Sequence, residues 1–286
     1  MSHEPAPFVE WDELCTWAEP TNSMKDWGGI IDPVRPMDQP LLNGKVDRNQ
    51  VHEEDFYFLG KIRTATQFLD IGGNCGQSIN SYRLLNSHTP VVSFEPNPHC
   101  FRILTAYTSH LPLLRTYPFG LSDTPAFLDL YTPIVDRLMI TPLATTQKDL
   151  FVTGWGVDWL EKNRHGRAIG IYKERLAFGQ GDSFGLKPSI IKIDVEGAEL
   201  LTLKGLLNTI LEHRPIIMAE NTHGPEFIEF FARIGYSPWQ WADEALRQFD
   251  PANPEKWGRI PSNTIYVHND DIRRHASEND FQIVFT

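Results

Sequence analysis

Residues 68–78 read FLDIGGNCGQS: a short apolar run closes on Asp70, and Gly72, Gly73 and Gly76 crowd the turn that follows. Glycines in such a turn let the backbone approach a ligand closely. Three further apolar runs also end in an acid: VVSFE at Glu95, SIIKID at Asp194 and PIIMAE at Glu220. Short runs without polar alternation predict parallel strands buried on both faces. Between the last two, AELLTLKGLLNTILEH (198–213) keeps Leu203, Leu207, Ile210 and Leu211 at helical spacing, and HEEDFYFLGKI (52–62) predicts a short helix before the first strand. Alternating strands and helices imply a doubly wound α/β sheet, whose ligands lie beyond the carboxyl ends of the strands, where these four acids fall. One such carboxylate serves equally well as a helix cap; four in order point to a site.

The composition of the whole chain agrees with a soluble globular protein. Its 286 residues are 41% hydrophobic and 22% charged, enough to bury a large core and unlike a disordered chain. A net charge of −11 repels polyanions and argues against nucleic acid as a partner. The three cysteines, Cys15, Cys75 and Cys100, form no C-x-x-C pair, which suits a reducing compartment. The start has neither the basic nor the apolar region of a secretory signal, and no apolar run reaches membrane-spanning length, so the expected location is the cytoplasm. The expected organisation is an N-terminal extension over 1–51, a catalytic domain over 52–270 with an inserted segment over 132–188, and a C-terminal tail over 271–286.

The glycine turn discriminates between cofactors. A dinucleotide fingerprint needs glycine at 72, 74 and 77, but Asn74 and Gln77 stand at the last two, which disfavours a nicotinamide oxidoreductase. Glu95 precedes Pro96-Asn97-Pro98, a rigid turn that holds its carboxylate at the sheet edge, where it suits two ribose hydroxyls. Further on, Ser122 and Asp123 in FGLSD lie where a short polar pair reads an adenine edge or simply makes a turn.

The pattern D-x-G-x-N-x-G over 70–76 resembles the first motif of class I S-adenosylmethionine-dependent methyltransferases. Together with FEPNP, LSD, IIKIDVEGAEL (190–200) and IIMAEN, in order, the chain resembles the FkbM family of these enzymes. The resemblance implies a Rossmann-like, mainly parallel, seven-stranded sheet with helices on both faces and an antiparallel edge around YSPWQW and NTIYVH. It implies S-adenosylmethionine as cofactor, on Asp70, Gly72, Gly73, Asn74, Gly76, Glu95, Asn97, Ser122, Asp123 and Asp194. It also implies methylation of a hydroxyl on a sugar-containing or polyketide acceptor, with amide nitrogen of a peptide as the alternative. A nucleoside-binding scaffold without turnover is a further alternative. Two elements depart from the family pattern: the segment before IIKID is long, and the T-L-D-like element stands only as QGDSF around Asp182.

An activated sulfonium leaves the protein to align acceptor, methyl and sulfur and to exclude water. An unactivated hydroxyl must still lose a proton, so a base or a metal ion is expected near the strand ends. Asp194, Glu220 and His223 are the catalytic candidates, and Asp194, Glu220 and Asn221 would supply oxygen ligands if magnesium took part. Glu196 and Glu199 read as carboxylates complementing a helix start. The insertion carries Phe151, Trp155, Trp159, Tyr172 and Phe178 among basic residues. It reads as a lid over a small-molecule or glycan acceptor, as a contact between copies of the chain, or as a small core of its own.

Overall fold

The computed structural model describes residues 15–17, 48–135, 138–151, 155–163, 169–220, 224–250 and 263–285. In chain order the strands are β1 (Cys15–Trp17), β2 (Phe68–Ile71), β3 (Val91–Phe94), β4 (Leu114–Tyr117), β5 (Gly120–Ser122), β6 (Ala126–Val135), β7 (Leu138–Met139), β8 (Ile169–Gln180), β9 (Ile190–Ile193), β10 (Ile216–Glu220), β11 (Tyr236–Ala242), β12 (Ala245–Gln248), β13 (Asn263–His268) and β14 (Gln282–Val284). The helices are α1 (Phe56–Lys61), α2 (Gln77–Leu85), α3 (Pro98–Thr108), α4 (Trp155–Asn163), α5 (Glu199–Gly205), α6 (Leu207–His213), α7 (Pro225–Arg233) and α8 (Ile272–Asn279). Contacts divide the chain into a smaller unit (1–42 and 127–177) and a larger one (43–126 and 178–286).

The larger unit is built on a sheet ordered β14-β12-β11-β13-β10-β9-β2-β3-β4. Strands β4, β3, β2, β9 and β10 are parallel, and β13 lies antiparallel between β10 and β11. Six of the seven expected strands are contiguous; the one expected at FGLSD, β5, pairs with β8 instead, and β4 takes the place beside β3. NTIYVH lies inside the sheet, and β12 and β14 continue the edge beyond YSPWQW. Asp243 and Glu244 make that extension: both adopt left-handed φ (52° and 57°), as a tight hairpin between β11 and β12 requires. Residues 272–284 supply α8 and β14.

Both faces of this sheet are buried, which is why the strand sequences do not alternate. Phe68, Val91, Ile190, Ile216, Met218 and Ile265 join side chains of α1, α2 and α8 in one core. Leu69, Val92, Ile191, Ile217 and Tyr266 join α5, α6 and α7 in another. The helix expected over 198–213 is two, joined at Leu206. Asp182 accounts for the break: its carboxylate accepts hydrogen bonds from the backbone and side chains of Asn208 and Thr209, capping α6. The buried face is Leu203, Leu206 and Ile210, whereas Leu211 is 51% exposed, contrary to the helical spacing read for it.

In the smaller unit β1, β8, β6 and β7 are neighbours in that order. Phe151, Leu160, Ile169 and Ile171 form its core with partly buried Trp159 against them. Tyr172 is also buried and donates to Glu174 at 2.9 Å. Phe151 and Tyr172 thus pack inward. Phe178 is buried in the larger unit, where its ring leaves no room for a side chain at Gly120. The side chain of Trp155 lies outside the described residues.

Candidate active site

Strand periodicity builds the site in two rows. Ser93, Asp70 and Lys192 are register neighbours on β3, β2 and β9, on the face shared by Phe68, Val91 and Ile190. All three are buried, and Ser93 Oγ donates to Asp70 Oδ2 at 2.8 Å. Two residues further along, the same parity reaches Glu95, Gly72, Asp194 and Glu220, with Asn263 opposite Glu220 across the β10–β13 pair. Four acids from separate parts of the sequence thus meet along one sheet edge.

The half of this edge at β2 and β3 is drawn tight by backbone. Gly72 and Gly73 both donate to the Phe94 carbonyl, at 2.9 and 3.1 Å. Gly72 has φ 84°, and a Cβ there would lie 1.7 Å from the Asp194 carbonyl oxygen, so glycine is required on both counts. Glu95 is anchored through both oxygens, accepting from Asn74 N–H and Asn97 N–H at 2.7 Å each. Burial pushes it up to about 7, against those two backbone donors. Asn97 also caps α3, accepting from His99 N–H at 3.0 Å, with Pro98 in the first turn. Asp70 Oδ1, Asn74 Oδ1 and Asn97 Nδ2 are buried without a hydrogen-bond partner in the protein, which fits a ligand rich in polar groups, as S-adenosylmethionine is. Ser122 is buried on β5, paired with β8 rather than with the main sheet, and its Oγ lies 3.3 Å from Asp123 Oδ1.

The other half of the edge is crowded with charge. Asp194, Glu196 and Glu220 each bring an oxygen within 4.8 Å of the others. Beneath them Lys192, 1% exposed, donates to Asp194 Oδ2 at 2.6 Å. Burial opposes charge on Asp194, but the Lys192 ammonium outweighs it and holds that carboxyl below its ordinary range. Burial opposes the lysine charge too, yet Asp194, Glu53 and Asp70 together hold the ammonium above its usual value. The remaining acids bear the cost: burial and the Asp194 charge push Glu220 up to about 9 and Glu196 up to about 8. At neutral pH, then, Asp194 is ionised while Glu220 holds a proton. Three carboxylates also form a hard oxygen donor set of the kind that takes magnesium or calcium.

The structure places Asp70, Gly72, Gly73, Asn74, Gly76, Glu95 and Asn97 around one turn, and Asp194 and Glu220 beside it. His223 and Asn221 lie outside the described residues. Glu199 heads α5 as expected, accepting from Gly197 N–H at 2.9 Å. Glu196 does not: it adopts left-handed φ of 47° ahead of the helix and joins the acid cluster, where the sequence had suggested a helix-start carboxylate. Lys192 was legible as an anomaly, a lysine inside an apolar run whose burial demands an anion beside it.

The fold is that of the class I methyltransferases. A sequence profile described as the methyltransferase FkbM domain matches residues 70–261, about two thirds of the chain, and the chain belongs to that family. Among solved structures it is similar to methyltransferase FkbM from Methylobacillus flagellatus KT, at 14% identity and a TM-score of 0.43, over 71% of this chain and 44% of that one. It thus spans under half the length of that relative. It is also similar to the O-methyltransferase from Bacillus cereus in complex with SAH, at 13% identity and a TM-score of 0.36, over 87% of each chain. A methyltransferase from Geobacter sulfurreducens shares 12% identity at a TM-score of 0.37, over 85% of this chain and 93% of that one. No curated protein matches. Among the described residues no helix is long and apolar enough to cross a membrane.

Proposed function

We propose that this chain transfers a methyl group from S-adenosylmethionine to a hydroxyl oxygen of a small-molecule or glycan acceptor. The observation that carries the reading is the turn at 70–76 with Asn97 beside it, where three buried polar atoms lack partners around an anchored Glu95. The sulfonium supplies an activated methyl, so the chain's own contribution is position and proton management. Each Glu95 oxygen keeps acceptor capacity for one ribose hydroxyl. Asp194, ionised through Lys192, accepts a hydrogen bond from the acceptor hydroxyl and aims an oxygen lone pair at the methyl. As the new C–O bond forms the oxygen gains positive character and its proton becomes strongly acidic, so even a weakly basic carboxylate takes it. Glu220, already protonated, donates a hydrogen bond to Asp194 and leaves Asp194 as the base of the pair.

Calorimetry with S-adenosylhomocysteine tests the cofactor half. Wild type binds, and Glu95→Ala weakens binding by about 1–3 kcal/mol, or roughly 5- to 150-fold, as loss of a charged acceptor implies. Unchanged affinity in a folded Glu95→Ala variant removes Glu95 from the site. Tritiated S-adenosylmethionine incubated with a metabolite extract of the producing cells, followed by identification of the labelled bond, separates O-methylation from amide N-methylation.

A further inference from the structure

The segment just ahead of α1 lies outside the span matched by the family profile, yet it is tied to the site at both ends. At one end the backbone N–H of His52 donates to Ser81 Oγ at 3.0 Å, and His52 Nδ1 lies 2.7 Å from the same oxygen. Ser81 is fully buried on α2, the helix that begins at the cofactor turn. At the other end Asn263 Nδ2 donates to Glu53 Oε2 at 2.8 Å, and Asn263 N–H donates to Asp55 Oδ2 at 3.1 Å. Asn263 is the cross-strand partner of Glu220. The side chain of Asp55, at the N-cap of α1, makes no cap hydrogen bond to that helix; its carboxylate ties the segment to β13 instead.

Between these anchors His52 Nε2 and Glu53 Oε2 stand 3.7 Å apart, with side chains 28% and 29% exposed. Fixing Nδ1 on Ser81 leaves Nε2 as the ring nitrogen available to a ligand. Burial lowers the imidazole below its ordinary range, so it is neutral at physiological pH. A neutral ring nitrogen and a carboxylate, side by side and partly open, match a hydroxyl or amine that both donates and accepts.

We propose that residues 52–55 form the acceptor-side wall of the site, with His52 Nε2 and the Glu53 carboxylate holding a hydroxyl or amine of the acceptor next to the group that is methylated. This rests on the methyltransferase reading above. Both are positioning residues that act through the bound acceptor and leave the cofactor alone.

The test uses full-length enzyme, tritiated S-adenosylmethionine as methyl source and a dilution series of the metabolite extract as acceptor probe, with S-adenosylhomocysteine calorimetry alongside. His52→Ala and Glu53→Gln are expected to raise the half-saturating extract concentration about fivefold or more while cofactor affinity stays within about twofold. His52→Asn separates binding from structure, because its amide can replace Nδ1 at Ser81 but offers nothing at Nε2. It is expected to behave like His52→Ala, with His52→Gln recovering part of the loss. Wild-type half-saturation in His52→Asn and Glu53→Gln overturns the proposal, as does a fall in cofactor affinity that parallels the loss of transfer. Wild type that binds no S-adenosylhomocysteine or labels no product removes the methyltransferase reading itself, and the wall with it.

Discussion

At the ends of β2 and β3 every carboxylate oxygen of Asp70 and Glu95 except Asp70 Oδ1 receives a hydrogen-bond donor from the protein, two of the three being backbone N–H groups. At the ends of β9 and β10 three carboxylates share a space 4.8 Å across, above one buried ammonium. The first region is satisfied by geometry that a ligand need not disturb, and its few orphan atoms await polar partners. The second is short of positive charge, and a proton, a cation or a polar acceptor would relieve it. Fixed donors suit a ligand that must always sit one way, and a charge deficit suits a step in which a proton moves.

The largest test of this contrast breaks the seam between the two regions. Gly72→Ala places a Cβ against the Asp194 carbonyl and forces a side chain into left-handed φ. The two costs together are expected to destabilise the protein by about 3–5 kcal/mol. Denaturant unfolding reads this directly, and a loss below about 1 kcal/mol would show that the seam yields.

Lys192→Met acts on the crowded side alone. Removing one member of a buried ion pair strands the other, and because Asp194 is about a third exposed the loss is expected at the low end, about 3 kcal/mol at neutral pH. The deficit should shrink as pH falls towards 4 and the carboxylates take up protons. A deficit that does not depend on pH would mean that Lys192 contributes packing rather than charge.

Much of this was legible before the structure, for a physical reason. A strand buried on both faces writes its length and its end into the sequence, so Asp70, Glu95, Asp194 and Glu220 were found at strand ends. The glycines of the turn announced its tightness. What failed depended on contacts distant in sequence. Leu211 follows helical spacing but lies beyond a break set by Asp182, which caps Asn208 from 26 residues upstream. Glu196 resembled a helix-start residue because only the fold brings Glu220 beside it. His52 and Glu53 belonged to an acidic stretch that reads as an ordinary helix start, and their partners Ser81 and Asn263 are 29 and 210 residues away.

The smallest expected effect sharpens the contrast furthest, because it asks which species neutralises the crowded side. An unfolded glutamate ionises near its ordinary value of 4.5, whereas folded Glu220 does so at about 9 and Glu196 at about 8. Between those limits the folded state binds more protons than the unfolded one, so its stability must fall as pH rises from about 5 to 9. Lys192 and Asp194 do not reverse this slope, since Lys192 stays protonated and Asp194 ionised across the window. Glu220→Gln keeps the shape and removes the titration, so its thermal midpoint should decline less over that range. At pH 9 it should be the more stable protein by about 1 kcal/mol, after allowance for solvent screening. Magnesium then separates metal from proton. If the triad binds it, millimolar magnesium should flatten the wild-type slope and leave Glu220→Gln, which has lost a ligand, nearly unchanged. If magnesium moves neither protein while the wild-type slope persists, the proton on Glu220 is what keeps this cluster folded, and Asp194 works as the one ionised carboxylate of the site.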